Sequence, residues 1–268
     1  MISNRTFIGY LKQFIVTIIR YLSFIQKILL RKNPRFLVLS FGIFKHQSIL
    51  DLHQMKIFRV LTPTVQDFRV LLQIFHFEHY KIDFEWKKIL EESNAFMNDE
   101  ARLILDLGSN IGLSALYFSL TIPNAEIVLV EPSNRNMEIA RQNTRGLKCH
   151  YVNGAIASGK SRISLVDPGL GPDSYRVCME EDGLIETYTV NEILNSFNST
   201  PYLVKIDIEG SELNLFEANT TWIDTFPLLI IELHDWLLLN QFVSRNFLLE
   251  IGKRSRNFIF RNENIFSF

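Results

Sequence analysis

Apolar and polar positions along the chain change their rhythm near residue 100. From residue 102 onward, apolar runs of strand length alternate with helical segments, and most runs end at a glycine or an acid. That alternation predicts a parallel sheet, whose strands are buried on both faces and so read as nearly unbroken apolar stretches. The predicted strands cover residues 102–106, 126–131, 148–153, 202–207 and 228–232, with helices between most of them. One helix is well punctuated: Ser133 stands as its N-cap, Met137 and Ile139 supply an apolar pair, and Gly146 stops it. Residues 160–190 interrupt the pattern, because Asp167-Pro-Gly-Leu-Gly-Pro172 is dense in turn formers between two β-like runs at 163–166 and 186–190. A β-excursion or loop is expected there, where inserts often shape a substrate pocket. The last residues, 257–261 and 264–268, read as a closing β-hairpin.

Before residue 102 the pattern predicts an accessory element. Residues 36–44 and 56–60 are short strand-like runs joined by a stretch too polar to be core. Thr62-Pro63-Thr64, followed by Val65, Phe68, Leu71, Leu72 and Phe75, reads as a helix with proline early in its start. Residues 86–96 carry a second, weaker helical pattern. Further upstream, Arg5, Lys12, Arg20, Lys27 and Arg31 fall within one arc of roughly 100° on a helix, and the rest of that surface is largely apolar. A spanning helix needs ~20 predominantly apolar residues, and here a charge recurs every seven or eight, so a helix lying on an anionic membrane surface fits better than a span. The same stripe also suits the solvated face of a helix packed on protein. The expected division is residues 1–56, a basic amphipathic helix with accessory strands, and residues 57–268, the catalytic domain.

Composition narrows the function. The chain has 268 residues, 47% of them hydrophobic, which excludes a collagen-like or largely disordered protein. Its net charge of −1 gives no overall cationic field, so nucleic acid is not an expected partner. That balance hides eight basic residues and no acid in the first 50 positions. Two cysteines, Cys149 and Cys178, cannot build a disulfide framework or a four-thiolate zinc site, and a reducing, cytoplasmic setting is expected, peripheral to the inner face of the membrane if the basic helix binds lipid.

The chemistry concentrates at strand ends. Ile104-Leu-Asp-Leu-Gly-Ser-Asn-Ile-Gly112 delivers Asp106 into a glycine-containing turn that opens a helix near Leu113. Gly108 and Gly112 allow close backbone approach, and the free N–H groups of the helix start favour a carboxylate or phosphate. An acid just before the turn repels a pyrophosphate but accepts hydrogen bonds from an ammonium, which points to a ligand carrying an amino acid moiety. Neither the dinucleotide glycine pattern nor a P-loop is present. Glu131, twenty-five residues on, ends the next strand, where a carboxylate can accept from both hydroxyls of a ribose. An amino acid site beside a ribose site fits S-adenosylmethionine. Asn153 and Ala155, at the end of the third strand, complete the expected cofactor set with Ser109 and Asn110.

A third constellation, Leu203-Val-Lys-Ile-Asp-Ile-Glu-Gly-Ser-Glu212, crowds ionisable groups at a buried strand end. Lys205, Asp207 and Glu209 share one side of an extended chain, so Lys205 can pair with either acid. The next strand finishes Ile230-Ile-Glu-Leu-His-Asp235, placing Glu232 and His234 on one face, with His234 a candidate base or ligand. Asp207, Glu232 and His234 could assemble a divalent-cation site if they converge, although no metal is expected.

The order of these motifs resembles the FkbM family of S-adenosylmethionine-dependent methyltransferases, from about Ile57 to Phe268. The likeness rests on Leu105-Asp-Leu-Gly-Ser-Asn-Ile-Gly112, Val130-Glu-Pro132, Lys205-Ile-Asp-Ile-Glu-Gly-Ser-Glu212 and Ile231-Glu-Leu-His234, with residues 62–80 similar to the family's helical lead-in. The resemblance implies an α/β fold with a Rossmann-like seven-stranded methyltransferase sheet, mostly parallel with a C-terminal antiparallel hairpin, here extended by an N-terminal helical and β segment. It also implies methyl transfer to an oxygen of a sugar, glycan or other natural product. Thr189-Val190-Asn191 lacks the acid usual at that point, so no role is carried over for it. The expected reading is an O-methyltransferase in which Asp106 holds the methionine ammonium, the Gly108-to-Gly112 turn its carboxylate side, and Glu131 the ribose. Asp207 ranks first as base, ahead of Glu209 and His234, with Lys205 orienting. The rival readings are a non-catalytic scaffold recruited by the basic helix and a dinucleotide-dependent oxidoreductase, the latter disfavoured by the glycine spacing.

Overall fold

The computed structural model describes residues 34–39, 45–82, 101–166, 176–179 and 183–268. The expected basic helix of residues 1–32, the helical pattern at 86–96 and the turn-rich stretch 167–172 lie outside the described residues.

Seven strands form the central sheet: β4 (Arg102–Leu107), β5 (Ala125–Val130), β6 (Cys149–Val152), β11 (Thr200–Ile206), β12 (Leu228–Glu232), β13 (Phe258–Arg261) and β14 (Asn264–Ser267). Their order is β13-β14-β12-β11-β4-β5-β6, and β14 runs antiparallel to both its neighbours. The remaining pairings, β12 to β11, β11 to β4, β4 to β5 and β5 to β6, are parallel. This is the expected Rossmann-like methyltransferase sheet, closing hairpin included. Chain order runs outward from β4 through β5 to β6 and then restarts at β11 on the other side. That switch point opens a crevice at the carboxyl ends of β4 and β11, where such sheets bind ligands.

Strand alternation decides which groups reach that crevice. Leu103, Leu105 and Leu107 of β4 join the core on one face with Val204, Ile206, Leu229 and Ile231, while Ile104, Leu203 and Ile230 join the core on the other. Asp106 and Lys205 therefore share the second face, and they are register partners across β4 and β11. That face is covered by α2 (Leu113–Thr121), α3 (Asn134–Asn143) and the N-terminal element. Ser133 caps α3 through its side chain, accepting from the Asn136 N–H, as expected. Gly146, with φ +83°, lies two residues past the C-cap Thr144.

The N-terminal element is a three-stranded antiparallel meander: β1 (Phe36–Val38), β2 (His46–Asp51) and β3 (Lys56–Leu61). Here the sequence reading needs correction. The stretch judged too polar to be core contains the central strand, in which alternate positions Gln47, Ile49 and Asp51 are buried. Asp51 is satisfied by Arg35 at 3.1 Å and by the His53 N–H at 2.8 Å, which is what lets an acid sit at 0% exposure. The expected division after residue 56 falls inside β3, just after its first residue, and β3 pairs with β2 along six residues. Helix α1 (Val65–Leu71) begins after Thr64, which forms a reciprocal capping box with Asp67, so Pro63 lies before the helix and not early within it. The excursion is real and larger than read: β7 (Ala155–Ile156), β8 (Arg162–Val166), β9 (Arg176–Met179) and β10 (Ile185–Tyr188) form a four-stranded sheet ordered β7-β10-β8-β9. No helix among the described residues is long and apolar enough to cross a membrane.

Candidate active site

Two adjoining hollows open at the switch point, divided by the turn after β4. The smaller is lined by Gly108, Asn110, Glu131, Asn136, Ala155 and Ser211, among others. Glu131 forms its polar floor. One carboxyl oxygen accepts the Asn110 N–H at 2.9 Å and the other the Ser133 N–H at 2.8 Å, so the acid ties the glycine turn to the start of α3. Burial pushes the Glu131 carboxyl up to about 7, and the two backbone donors only partly offset it. A carboxylate offers about four acceptor positions, so with these two N–H groups and the Asn136 side chain on it, Glu131 keeps room for a further donor such as a ribose hydroxyl. Ala155 lines this hollow. Asn153 does not line either hollow: its amide donates to the Glu131 carbonyl at 2.9 Å and so supports the loop that carries the acid.

The larger hollow, a cavity of about 370 Å³, is lined by Gln66, Gln73, His79, Tyr80, Ser109 and Trp236 together with Lys205, Asp207, Glu209, Glu232 and His234. The Ser109 hydroxyl is buried on its wall with no hydrogen-bond partner, an open polar group of the kind a bound ligand satisfies. Sequence reasoning missed Gln66, Gln73, His79 and Tyr80, which α1 and the π-helical turn Leu72–His76 after it bring over the sheet.

The glycines act differently from the expectation. Gly108 has φ +76°, and a Cβ there would lie 1.8 Å from the Asp207 carbonyl oxygen. Gly112 has φ +78°, and its Cβ would press at 3.1 Å on Ala140 in α3. Both glycines let protein approach protein, at the β11 end and at the α2–α3 contact, although Gly108 also lines both hollows.

Lys205 is 2% exposed and surrounded by acceptors: the Gly108 carbonyl at 2.6 Å, Asp106 at 3.3 Å and Asp207 at 3.3 Å. Burial opposes its charge, but Asp207 and Asp106 more than offset that and hold the ammonium well above its ordinary pKa. Asp106 is fully buried behind it, accepts from Ser114 at 2.5 Å, and lines neither hollow. Its expected direct contact with a methionine ammonium is thus filled by Lys205, a partner the strand register supplies and the motif alone did not show.

His234 is 1% exposed at the end of β12. Its Nδ1 lies 2.7 Å from Glu212, and its Nε2 faces Asp207 at 3.6 Å, Glu209 at 3.8 Å and Glu232 at 3.8 Å. Burial works against the charged ring, yet the Glu212 bond and the surrounding acids raise it to about 10. A ring that already carries its proton at neutral pH cannot take another, which moves His234 from base to cation in this state. Burial and the neighbouring Asp207 lift Glu232 to about 8. Glu212, fully buried, went unassigned in the sequence although it ends the most distinctive motif, because only folding sets it against His234.

A switch-point crevice with a buried acid on one side of a glycine turn and a charged cavity on the other is where a Rossmann-like sheet binds its ligands. The sequence pattern of the methyltransferase FkbM domain matches residues 106–259, more than half of the chain, which belongs to the FkbM methyltransferase family. S-adenosylmethionine, the expected cofactor, is the methyl donor that the family resemblance implies. The match begins at Asp106, so the lead-in similarity at residues 62–80 lies outside it.

Solved structures similar to this chain include a putative caffeoyl-CoA O-methyltransferase from Staphylococcus aureus, 13% identical over 74% of this chain and 90% of its own, with a TM-score of 0.40. A methyltransferase from Geobacter sulfurreducens is 12% identical over 75% and 87%, with a TM-score of 0.37. The plantazolicin methyltransferase BpumL, solved with SAH, is 13% identical over 53% of this chain, with a TM-score of 0.29. This chain covers 42% of BpumL, under half its length. No curated protein matches the sequence closely enough to count as a relative.

Proposed function

We propose that this protein is an S-adenosylmethionine-dependent O-methyltransferase acting on a hydroxyl of a sugar, glycan or related natural product. The observation that carries this reading is the pair of half-buried carboxylates, Asp207 and Glu209, facing one cavity beside the Glu131 hollow. A hydroxyl has to lose its proton as it is alkylated, and groups able to accept one are gathered where the acceptor would sit. The bound cofactor supplies an electrophilic methyl group on a sulfonium. Glu131 accepts from the ribose, and the Ser109 hydroxyl and the turn at Gly108 and Asn110 hold the amino acid portion. Asp106 acts at one remove, fixing Lys205 and, through Ser114, the start of α2. Lys205 holds one oxygen of Asp207, leaving the other turned toward the cavity, and Asp207 takes the acceptor proton. Gln66, Gln73 and His79, with Trp236 as a stacking face, suit a polyhydroxylated acceptor. Alignment of acceptor and methyl group supplies most of the acceleration, an effect that can reach ~7–11 kcal/mol.

Substitutions divide these roles. Glu131→Ala is expected to weaken S-adenosylhomocysteine binding in isothermal titration, and unchanged affinity would refute the ribose assignment. Asp207→Asn is expected to keep that affinity while slowing methyl transfer by ~10²–10⁴-fold, and full activity would refute its role as base. We also propose that residues 1–32 bind an anionic membrane surface. Full-length protein is expected to co-sediment with phosphatidylserine vesicles, and a variant with Arg5, Lys12, Arg20, Lys27 and Arg31 replaced by Gln is expected not to. Equal sedimentation of both would remove that partner.

A further inference from the structure

The cluster around His234 is built in a way that proton transfer alone does not require. Asp207 and Glu232 end adjacent parallel strands, β11 and β12, and His234 follows two residues after Glu232 on the same side of the chain. One ligand-type atom from each of the three lies within 4.8 Å of the others. The imidazole Nε2 is 3.6 Å from Asp207 and 3.8 Å from both Glu232 and Glu209, too long for hydrogen bonds. With bonds of about 2.1 Å, two ligand atoms on one ion stand roughly 3.0–4.2 Å apart, depending on the angle between them. The spacings from Nε2 to Asp207 and Glu232, 3.6 and 3.8 Å, fall inside that window.

Groups outside the cluster hold its ligands in place. Glu212, fully buried at the start of the short helix Glu212–Leu215, engages Nδ1 at 2.7 Å and so turns Nε2, on a side chain 1% exposed, toward the three carboxylates. Lys205 does the same for Asp207, engaging Oδ2 at 3.3 Å and leaving Oδ1 toward His234. A carboxylate on the far nitrogen of a histidine is the common outer partner in metal sites, where it fixes the ring and its tautomer. The open side of the cluster is the acceptor cavity.

We propose that Asp207, Glu232 and His234 bind a divalent first-row transition-metal ion at the floor of the acceptor cavity. One imidazole with two carboxylates suits Mn²⁺, Fe²⁺ or Zn²⁺ better than Mg²⁺ or Ca²⁺, which favour oxygen alone. The ion takes the place of the proton on Nε2. Its catalytic role rests on the methyl-transfer reading. There the ion binds the acceptor oxygen and acidifies the hydroxyl, whose proton passes to Glu209. Asp207 then acts as a ligand instead of taking the proton itself. The C–O bond forms as the S–C bond breaks, and that electron pair remains on sulfur as the neutral thioether.

Full-length protein, stripped with chelator and dialysed, is titrated with MnCl₂ while free Mn²⁺ is followed by electron paramagnetic resonance; S-adenosylhomocysteine is titrated separately by calorimetry. The expected result is one saturable Mn²⁺ per chain, lost in His234→Gln and weakened at least tenfold in Glu232→Gln, with Glu212→Gln weakening it ten- to a hundredfold. Glu232 is partly exposed, so its variant keeps the test decisive even where His234→Gln fails to fold. No saturable Mn²⁺ binding, or binding that Glu232→Gln leaves unchanged, would overturn the proposal. Cofactor binding without Mn²⁺ binding removes the metal site and leaves the methyltransferase reading intact. Mn²⁺ binding without cofactor binding does the reverse.

Discussion

Glu131 carries the clearest prediction at the scale of single residues. Burial raises its carboxyl to about 7, so the folded protein favours its neutral form. Its contribution to stability is full below its ordinary value of 4.5 and is lost as pH rises through 7. A ribose diol reverses that preference by donating to the ionised form. S-adenosylhomocysteine affinity should therefore fall roughly tenfold between about pH 8 and about pH 5.5, and Glu131→Gln should flatten the profile in calorimetric titrations. The buried pair of Asp106 and Lys205 carries a second. Lys205→Met leaves a fully buried carboxylate without its cation, and chemical denaturation is expected to show a loss of about 3–5 kcal/mol. Glu131 was legible because strand-end spacing alone places it. Glu212 was not, since its meaning comes from a histidine 22 positions away.

Among the elements, the turn between β4 and α2 is the most constrained. Gly108→Ala places a methyl group against the Asp207 carbonyl in addition to left-handed backbone strain, which costs of order 1–3 kcal/mol by itself. Gly112→Ala, at φ +78°, carries the same backbone strain, but its nearest contacts are the milder 3.1 Å to Ala140 and 3.2 Å to Thr144. Denaturant titration should rank Gly108→Ala as clearly the more damaging, and cofactor affinity should follow the same order. At α1, Thr64→Ala removes a reciprocal cap and is expected to cost about 0.5–2 kcal/mol. The strands of the central sheet were readable because parallel strands buried on both faces leave long apolar runs. β2 was not, because its buried Gln47 and Asp51 are polar positions whose partners, Arg35 among them, come from elsewhere in the fold.

For the whole molecule, the Asn143 side chain is one of the links between the N-terminal meander and the central-sheet domain, beside the Arg35 bond to the Leu120 carbonyl and the packing of Phe36 on Tyr117. Asn143 of α3 accepts the Leu61 N–H at 2.6 Å and donates to the Leu61 and Ile111 carbonyls at 3.1 and 2.9 Å, joining β3, α3 and the glycine turn. No motif announced that bridge. A ligand bound at the turn should stabilise the assembly as a unit: S-adenosylhomocysteine at a hundred times its Kd adds about 2.7 kcal/mol, and the thermal midpoint should rise by several degrees. The sequence by itself determined the mostly parallel sheet, its closing hairpin, the strand-end position of Glu131 and the membership of the chain in its family. Each of these is written in local periodicity and in short motifs at strand ends. Only the tertiary structure decided that Lys205 stands in front of Asp106, that Glu212 orients His234, and that Asp207, Glu232 and His234 converge on one cavity. Those relations join residues on different strands and helices, and they are set by sheet register and by the packing of α1, α2 and α3, which no single segment of the chain encodes.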